Sequence, residues 1–383
     1  MSIQDADVIC FDADNTLIKY TCTDFPRLQY ESLSRCLIKN GAPEELLTLV
    51  DAAHVNSFGC SGLIADFNTG CLLKLDKNCR ILCAYHGLDK VDNLETFYGN
   101  PPIYQFSDID KYYVPGLRWA YHTHFAIGGS VVWQACVELM KRGKYNLNSY
   151  VELSEALKKA VYANYLDDDR TGSEYYTEFY KNPHLYLTKV SDQFKEKLEI
   201  LRSKGKKLVV VTNSNHEYTN FIFEYCYGAE WHNLFDAYVF TAGKPEFFYH
   251  ENEMEVLSHL NLDGDAYKKG SSKHLKDTIG GHKYVFIGDH YIGDVQGPKK
   301  VLWSTIALIE EIYYEKSITS ACNPLDIENA PYNKPEGDIL NYYPLWGSHF
   351  KTEETRTFWW DFILNHADIV LSNINAVFDL FDS

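Results

Sequence analysis

The sequence predicts an α/β protein with a Rossmann-like, doubly wound parallel sheet. Short apolar runs typical of buried strands alternate with segments of helical spacing, which is the pattern of βαβ units. The strand-like runs are Val8–Phe11, Lys207–Val211, Ala237–Phe240, Lys283–Ile287 and Ser304–Ile309. The long interval between the first two runs, in a chain of 383 residues, predicts an inserted second domain.

Composition narrows the function classes. A formal net charge of −17 argues against a nucleic-acid polymer as partner, because affinity for its backbone comes from clustered Lys and Arg. A small anionic substrate needs only a local positive site. The N-terminal residues lack the features of a secretory signal, and no stretch approaches the ~18 apolar residues of a membrane helix. The ten scattered cysteines are typical of reduced thiols. We therefore expect a cytoplasmic protein with no membrane partner.

The first strand ends in two carboxylates. Val8–Phe11 is followed directly by Asp12 and Asp14, and open α/β sheets bind ligands at the C-terminal edge of their strands. Such a pair could hold a hard cation and leave one oxygen free to attack phosphorus. Alone it is weak evidence, because Asp and Asn also begin turns.

The interval after the first strand is predicted to contain both helices and strands. It begins with a predicted helix over about Phe25–Ile38. Turn-punctuated runs then predict a β-meander, and further helices follow. These segments are Gly62–Phe67, Cys71–Leu75 and Arg80–Tyr85 for the meander, and about Ser130–Arg142 and Ser149–Tyr180 for the helices. We predict a core over residues 1–55 and 146–383 with an inserted α+β cap over 56–145. A separate domain with no role in catalysis is the alternative.

The second half continues the alternation and then changes character. Helices are predicted over Asp192–Ser203, Tyr218–Tyr225 and Ser272–Thr278. The Pro- and Asn-rich segment Asn323–Tyr343 predicts a long loop. The amphipathic pattern of Thr355–Phe381 predicts a helical C-terminal segment. Core packing is the default explanation of its apolar face, and a contact in a homo-oligomer is the alternative.

Residues suited to phosphate chemistry also stand at three later strand ends. Thr212 follows the second strand, where a hydroxyl and backbone amides suit a phosphate. Lys244 follows the third strand, where a cation would neutralise carboxylate and phosphate. Asp289 and Asp294 follow the fourth and would complete an all-oxygen site for Mg²⁺. Each motif alone could be a turn or a helix cap, but four of them on one sheet edge indicate an active site.

The ordered set of motifs resembles the haloacid dehalogenase phosphatases. Within them it is similar to the family of cytosolic purine 5′-nucleotidases and 5′-nucleotidase domain-containing proteins. The similarity rests on Phe11-Asp12-Ala13-Asp14-Asn15-Thr16-Leu17, Thr212-Asn213-Ser214, Lys244-Pro245, Gly288-Asp289-His290 and Gly293-Asp294. It implies a haloacid dehalogenase-like core and a phosphatase that acts on a small phosphorylated substrate, specifically a nucleotide.

The resemblance also implies a two-step mechanism through an aspartyl-phosphate. Asp12 would be the nucleophile. Asp14 would protonate the leaving oxygen and then deprotonate water. Mg²⁺ would be held by the Asp12 carboxylate, the Asp14 backbone carbonyl and Asp289.

Further residues complete the implied site. Thr212 and Lys244 would bind the phosphoryl oxygens. Asp294 would orient the metal or Lys244, and Asn213 would support it. His86 in the predicted cap and Lys158 in the helix that follows the cap are candidate substrate contacts, although cap histidines are also explained as ordinary core or surface residues. Two alternatives stay open, a phosphotransferase that uses the same intermediate and a low-turnover regulatory or binding protein that retains the site.

Overall fold

The computed structural model describes residues 3–106, 108–109, 111–166, 172–258, 265–315 and 345–381. The chain divides into two compact units. The first comprises Met1–Tyr20, Leu187–Pro331 and Ile363–Ser383, and the second comprises Thr21–Tyr186 and Tyr332–Phe362. These packing units group the residues differently from the predicted core and cap. The assignment of residues 56–145 to a cap over the active site therefore remains a prediction.

The described residues form the following strands and helices. The strands are β1 (Val8–Phe11), β2 (Lys19–Tyr20), β3 (Leu63–Asp66), β4 (Cys71–Leu75), β5 (Ile81–His86), β6 (Asp89–Lys90), β7 (Tyr113–Val114), β8 (Arg118–Tyr121), β9 (Leu187–Thr188), β10 (Lys207–Val211), β11 (Ala237–Phe240), β12 (Glu255–Val256), β13 (Asp265–Lys268), β14 (Tyr284–Gly288), β15 (Ser304–Leu308) and β16 (Ile369–Leu371). The helices are α1 (Asp24–Lys39), α2 (Ala52–Phe58), α3 (Glu95–Tyr98), α4 (Ile127–Lys141), α5 (Tyr150–Val161), α6 (Glu174–Lys181), α7 (Pro183–Tyr186), α8 (Asp192–Ser203), α9 (His216–Tyr227), α10 (Glu246–Tyr249), α11 (Ser272–Ile279), α12 (Gly297–Lys300), α13 (Glu311–Tyr314), α14 (Phe358–His366) and α15 (Ala376–Asp379).

The first unit is built on an eight-stranded sheet in the order β12-β13-β11-β10-β1-β14-β15-β16. All neighbours are parallel except β12 and β13. After β1 the chain adds β10, β11 and β13 on one side and then β14, β15 and β16 on the other. The winding therefore reverses between β1 and β14, which is where open α/β sheets bind ligands. The predicted doubly wound sheet is confirmed, as are its predicted strands, to within a residue at each end.

The predicted helical C-terminal segment, Thr355–Phe381, is wrong in its middle. It contains α14 and α15, but β16 lies between them and joins the sheet beside β15. The preceding helix ends at His366, and two residues later the Asp368 carboxylate accepts the Thr305 backbone N–H at 2.8 Å, which ties the chain to β15. Ile369, Val370 and Leu371 then pair with that strand. The predicted loop Asn323–Tyr343 lies outside the described residues.

The second unit contains a six-stranded antiparallel sheet in the order β6-β5-β4-β3-β8-β7. The predicted meander corresponds to β3, β4 and β5, and the predicted helix near 130–142 to α4. The long helix predicted over Ser149–Tyr180 is interrupted. α5 runs into a π-helical turn at Tyr162–Leu166, and α6 begins anew because the Ser173 hydroxyl caps it by accepting the Tyr176 N–H. Within the described ranges, no helix is long and apolar enough to cross a bilayer.

Candidate active site

The first carboxylates lie at the point where the sheet reverses direction. Asp12 directly follows β1, and its N–H donates to the Ile287 carbonyl of β14 at 2.9 Å. The chain then turns back sharply, with Asn15 at a φ of 50° and the Ile18 N–H bonded to the Ala13 carbonyl at 2.9 Å. This turn keeps Asp12 and Asp14 at the strand end.

Lys244 links two carboxylates from different strand ends. Its Nζ lies 2.8 Å from Asp12 Oδ1 and 2.7 Å from Asp294 Oδ1. It also lies 4.9 Å from the centre of the Phe286 ring. Burial opposes the charge of Lys244, but the carboxylates of Asp12 and Asp294 outweigh it and raise the pKa of this lysine. Lys244 is therefore a permanently charged ammonium beside Asp12.

The loop after β10 holds the backbone of Lys244 in place. Asn213 makes a two-point contact, because its Nδ2 donates to the Lys244 carbonyl at 3.0 Å and its Oδ1 accepts the Lys244 N–H at 2.7 Å. Thr212 is fully buried, and its hydroxyl accepts the Ser214 N–H at 3.0 Å. Thr212 thus shapes the turn that carries Asn213.

Asp294 depends on the absence of a side chain at Gly288. A Cβ atom at position 288 would lie 2.3 Å from Asp294 Oδ2, which is far inside van der Waals contact. The Asp294 carboxylate accepts the His290 N–H at 3.1 Å. His290 Nδ1 in turn accepts the Gly293 N–H at 2.9 Å. Burial, aided by the nearby Lys244 ammonium, lowers the pKa of His290 to about 4, so its ring is neutral at neutral pH.

We expect Gly288→Ala to destabilise the protein by about 1–3 kcal/mol, the usual effect of overpacking a well-packed site. The added methyl must push the Asp294 carboxylate away from Lys244. Urea denaturation measures the change. Gly293→Ala is the matched control from the same turn, since its Cβ would meet nothing closer than 3.3 Å. A Gly288→Ala protein as stable as the Gly293→Ala protein would contradict the expectation.

Three carboxylates come together as a group that could hold a metal ion. Asp12, Asp289 and Asp294 each place an oxygen within 4.8 Å of the others. Burial and the charges of Asp12 and Asp294 raise the pKa of Asp289 well above its ordinary value. Burial also raises the pKa of Asp12 to about 7, against the opposing effect of Lys244. One ammonium does not balance these charges, and an all-oxygen donor set suits a hard divalent cation. The residues therefore fit such an ion.

Asp14 accepts a hydroxyl on each carboxylate oxygen. Tyr20 donates to Oδ1 at 2.5 Å, and Ser214 donates to Oδ2 at 2.6 Å. The Tyr20 oxygen also lies 2.8 Å from the Tyr218 oxygen. Burial first, and the Asp12 charge second, raise the pKa of Asp14 to about 6. A carboxyl group of that pKa can hold a proton near neutral pH.

Sequence reasoning did not assign these hydroxyl residues to the site. Tyr20 lies in β2, and β2 is defined by its pairing with β9, where Tyr20 lies opposite Leu187. A pairing across so many residues leaves no local signal in one sequence. Ser214 belongs to the Thr212-Asn213-Ser214 motif, but from that motif alone a cap on the next helix by Ser214 or Asn213 is the better explanation. The structure assigns that cap to Asn215 instead.

The structure gathers the predicted strand-end residues within the first unit. They are Asp12, Asp14, Thr212, Asn213, Lys244, Asp289 and Asp294. The two predicted substrate contacts, Lys158 and His86, belong to the second unit. Lys158 Nζ lies 4.7 Å from the centre of the Tyr113 ring, and His86 Nε2 lies 2.8 Å from the Tyr150 hydroxyl oxygen. Burial, and then the charge of Lys141, lower the pKa of His86.

Comparison with known proteins identifies relatives along most of the chain. Residues 1–330 match the model of the 5′ nucleotidase family. The chain is 26% identical over 420 residues to 5′-nucleotidase domain-containing protein 1 of Homo sapiens, covering 99% of this chain and 91% of that protein. The Bos taurus protein of the same name is 25% identical over 415 residues, with the same coverage of 99% and 91%. A crystal structure of a predicted phosphoglycolate phosphatase from Haemophilus somnus 129pt aligns with a TM-score of 0.35 and 14% identity, covering 80% of this chain and 87% of that chain.

Proposed function

Because the chain belongs to the 5′ nucleotidase family, as its strand-end motifs predicted, we propose that it is a Mg²⁺-dependent phosphomonoester hydrolase acting on a nucleoside monophosphate. The observation that carries the proposal is the position of Asp12. It stands at the reversal point of the sheet, 2.8 Å from Lys244 and among the carboxylates of Asp289 and Asp294. Phosphoryl transfer depends mostly on positioning and charge neutralisation, and this site is suited to both.

Several oxygens could hold the cation. We assign it to the Asp12 carboxylate, the Asp14 backbone carbonyl and Asp289, with Asp294 as a further candidate from the same carboxylate group. When bound, Mg²⁺ would neutralise negative charge on Asp12 and on the substrate phosphate. We also retain Lys158 and His86 as candidate substrate contacts.

In the first step, a carboxylate oxygen of Asp12 attacks phosphorus, and the ester P–O bond breaks. The Lys244 ammonium binds the phosphoryl oxygens and neutralises negative charge on them and on Asp12. Thr212 is retained as a second residue that binds the phosphoryl oxygens, and its turn carries the Asn213 that holds the Lys244 backbone. Asp14 gives its proton to the leaving oxygen, so that the nucleoside departs as an alcohol.

In the second step, Asp14 acts as a base instead of an acid, and Asp12 is the leaving group instead of the nucleophile. Asp14, now ionised, takes a proton from water as the water oxygen attacks phosphorus. The bond between phosphorus and Asp12 breaks, and inorganic phosphate leaves. Asp14 then carries the proton that the next first step requires.

A panel of nucleoside 5′-monophosphates and small phosphoesters, assayed for released phosphate with Mg²⁺, tests this function. The proposal predicts release from at least one nucleoside monophosphate and its loss when the metal is chelated. Transfer of the phosphoryl group to an added nucleoside would indicate a phosphotransferase instead. If no member of the panel is hydrolysed or used as a donor, the enzymatic proposal fails.

Mg²⁺ should also stabilise the folded protein. A ligand that binds only the folded state at one hundred times its Kd contributes about 2.7 kcal/mol, which raises Tm by roughly 5–10 °C for a domain of ordinary size. A thermal melt with and without Mg²⁺ measures the shift. Asp289→Asn should reduce it sharply because a carboxylate of the group is lost. Asp265→Asn, at an exposed position of β13, is the matched control and should keep it. Equal shifts in the two variants would contradict the assignment.

A further inference from the structure

Tyr20 is the residue through which we extend the proposed mechanism. We propose that Tyr20 is a positioning residue that holds Asp14 in the orientation needed to protonate the leaving oxygen. The inference rests on the proposed function, since it concerns the proton transfer of the first step. Its basis is the bond of 2.5 Å from the Tyr20 hydroxyl to Asp14 Oδ1.

The direction of the hydrogen bonds follows from their chemistry. The Tyr20 hydroxyl donates its single proton to Asp14 Oδ1, which can accept it in both the ionised and the protonated carboxyl group. In the contact of 2.8 Å between the two tyrosine oxygens, Tyr218 must therefore donate to Tyr20. Tyr218 thus orients the Tyr20 oxygen, and Tyr20 orients Asp14. Only Tyr20 of these two reaches the carboxylate.

The position of Tyr20 is fixed from two sides. Its backbone pairs with Leu187 in the β2–β9 ladder, and its side chain is only 1% exposed. Tyr218 lies in the first turn of α9, where the side chain of the N-cap residue Asn215 accepts the Tyr218 N–H at 3.0 Å. Rigidly held donors of this kind can place a catalytic group to within a fraction of an ångström.

Ser214 holds the second oxygen of Asp14, at 2.6 Å. With one donor on each oxygen, the plane of the carboxylate is defined. Removal of the Tyr20 hydroxyl leaves one donor, about which the carboxylate can swing. The Asp12 nucleophile and its Lys244 partner are not touched by this change, because neither contacts Tyr20 among the hydrogen bonds of the described residues.

This separation predicts a dependence on the leaving group. A nucleoside alkoxide is a poor leaving group and needs the proton of Asp14. A thiolate is a good leaving group and departs without protonation. An analogue in which sulfur replaces the bridging ester oxygen therefore reports attack by Asp12 without reporting protonation by Asp14.

The experiment compares Tyr20→Phe with the unchanged protein on two substrates. They are the nucleoside monophosphate that the panel shows to be hydrolysed fastest and its bridging-sulfur analogue. We expect kcat/KM for the oxygen ester to fall roughly ten- to a hundredfold, and that for the sulfur analogue to fall by less than about threefold. KM for the oxygen ester should change little, because Tyr20 does not hold the substrate.

Tyr227→Phe is the matched control. Its hydroxyl is also buried and donates to the Leu17 carbonyl at 2.8 Å, in the same turn between β1 and β2, but it does not contact Asp14. It should leave the ratio of the two kcat/KM values unchanged. An equal fall for both substrates in Tyr20→Phe, or no fall, would overturn the inference while leaving the proposed function intact. Failure of the unchanged protein to hydrolyse any monophosphate would instead overturn the proposed function, and this inference with it.

Discussion

Asp12→Asn is expected to lower phosphate release by at least about a thousandfold, because an amide cannot attack phosphorus and removal of a covalent nucleophile eliminates the reaction pathway. Asp12 stands at the end of the central strand, held at 2.8 Å by Lys244. Because Asp and Asn have nearly the same shape, a loss of phosphate release would be caused by the missing nucleophile and not by altered packing. Released phosphate, measured with Mg²⁺ on the best substrate of the panel, gives the effect.

Folding must be checked in the same protein. Replacing a buried, repelled carboxylate by a neutral amide should not lower Tm, since Lys244 keeps its second partner, Asp294, at 2.7 Å. Asp5→Asn, which removes an exposed carboxylate of the same unit, is the control for the substitution itself. Activity in a folded Asp12→Asn protein that remains within tenfold of the unchanged protein would show that the nucleophile lies elsewhere.

The site could be predicted from the sequence because its residues follow apolar runs. Each run had to be a buried strand, and parallel strands end at one edge, so Asp12, Lys244 and Asp289 had to be neighbours. Asp294 was placed correctly at that edge. Its place in a group of carboxylates with Asp289 was also predicted. The sequence does not show that this place depends on Gly288, whose missing side chain leaves room for Asp294.

Other parts of the fold could not be predicted for physical reasons. β13 has the sequence Asp-Ala-Tyr-Lys and lies near the edge of the sheet. Polar residues there can stay exposed to solvent, so the strand lacks the continuous apolar run that predicts a buried strand. β16 has only three residues and sits inside an amphipathic pattern that also suits a helix. In both, pairing with a distant strand decides the structure, and one sequence contains no record of pairing.

Tyr20 shows the same limit within the site. Its hydroxyl becomes functional only because β2 pairs with β9 and α9 brings Tyr218 alongside. Neither contact follows from local periodicity. The reactive residues at a strand end can therefore be predicted from the sequence. The residues that orient their side chains cannot, because they are brought there by tertiary contacts.

Asp14→Asn is expected to lower kcat by roughly 10²–10⁴, the usual contribution of general acid–base catalysis. Asn can keep the Ser214 contact, but its amide is neither an acid that can protonate the leaving oxygen nor a base that can take a proton from water. Both steps slow, but attack by Asp12 on the bridging-sulfur analogue does not need the acid. With that analogue, the phosphorylated Asp12 should form and then persist, because its hydrolysis lacks a base. Acid-quenched protein assayed for bound phosphate measures the intermediate.

The same variant decides whether Tyr20 acts through Asp14. If Tyr20 only positions that carboxylate, Tyr20→Phe should have almost no further effect on kcat once Asp14 is Asn, because residues that act as one unit are not additive. The double variant is compared with Asp14→Asn alone, and Tyr227→Phe in the same background controls for general weakening of the β1–β2 turn. Full additivity of the Tyr20 and Asp14 effects would mean that the 2.5 Å bond between them is not the route by which Tyr20 contributes.

A phosphorylated intermediate that does not persist in Asp14→Asn would place the base of the second step on another residue.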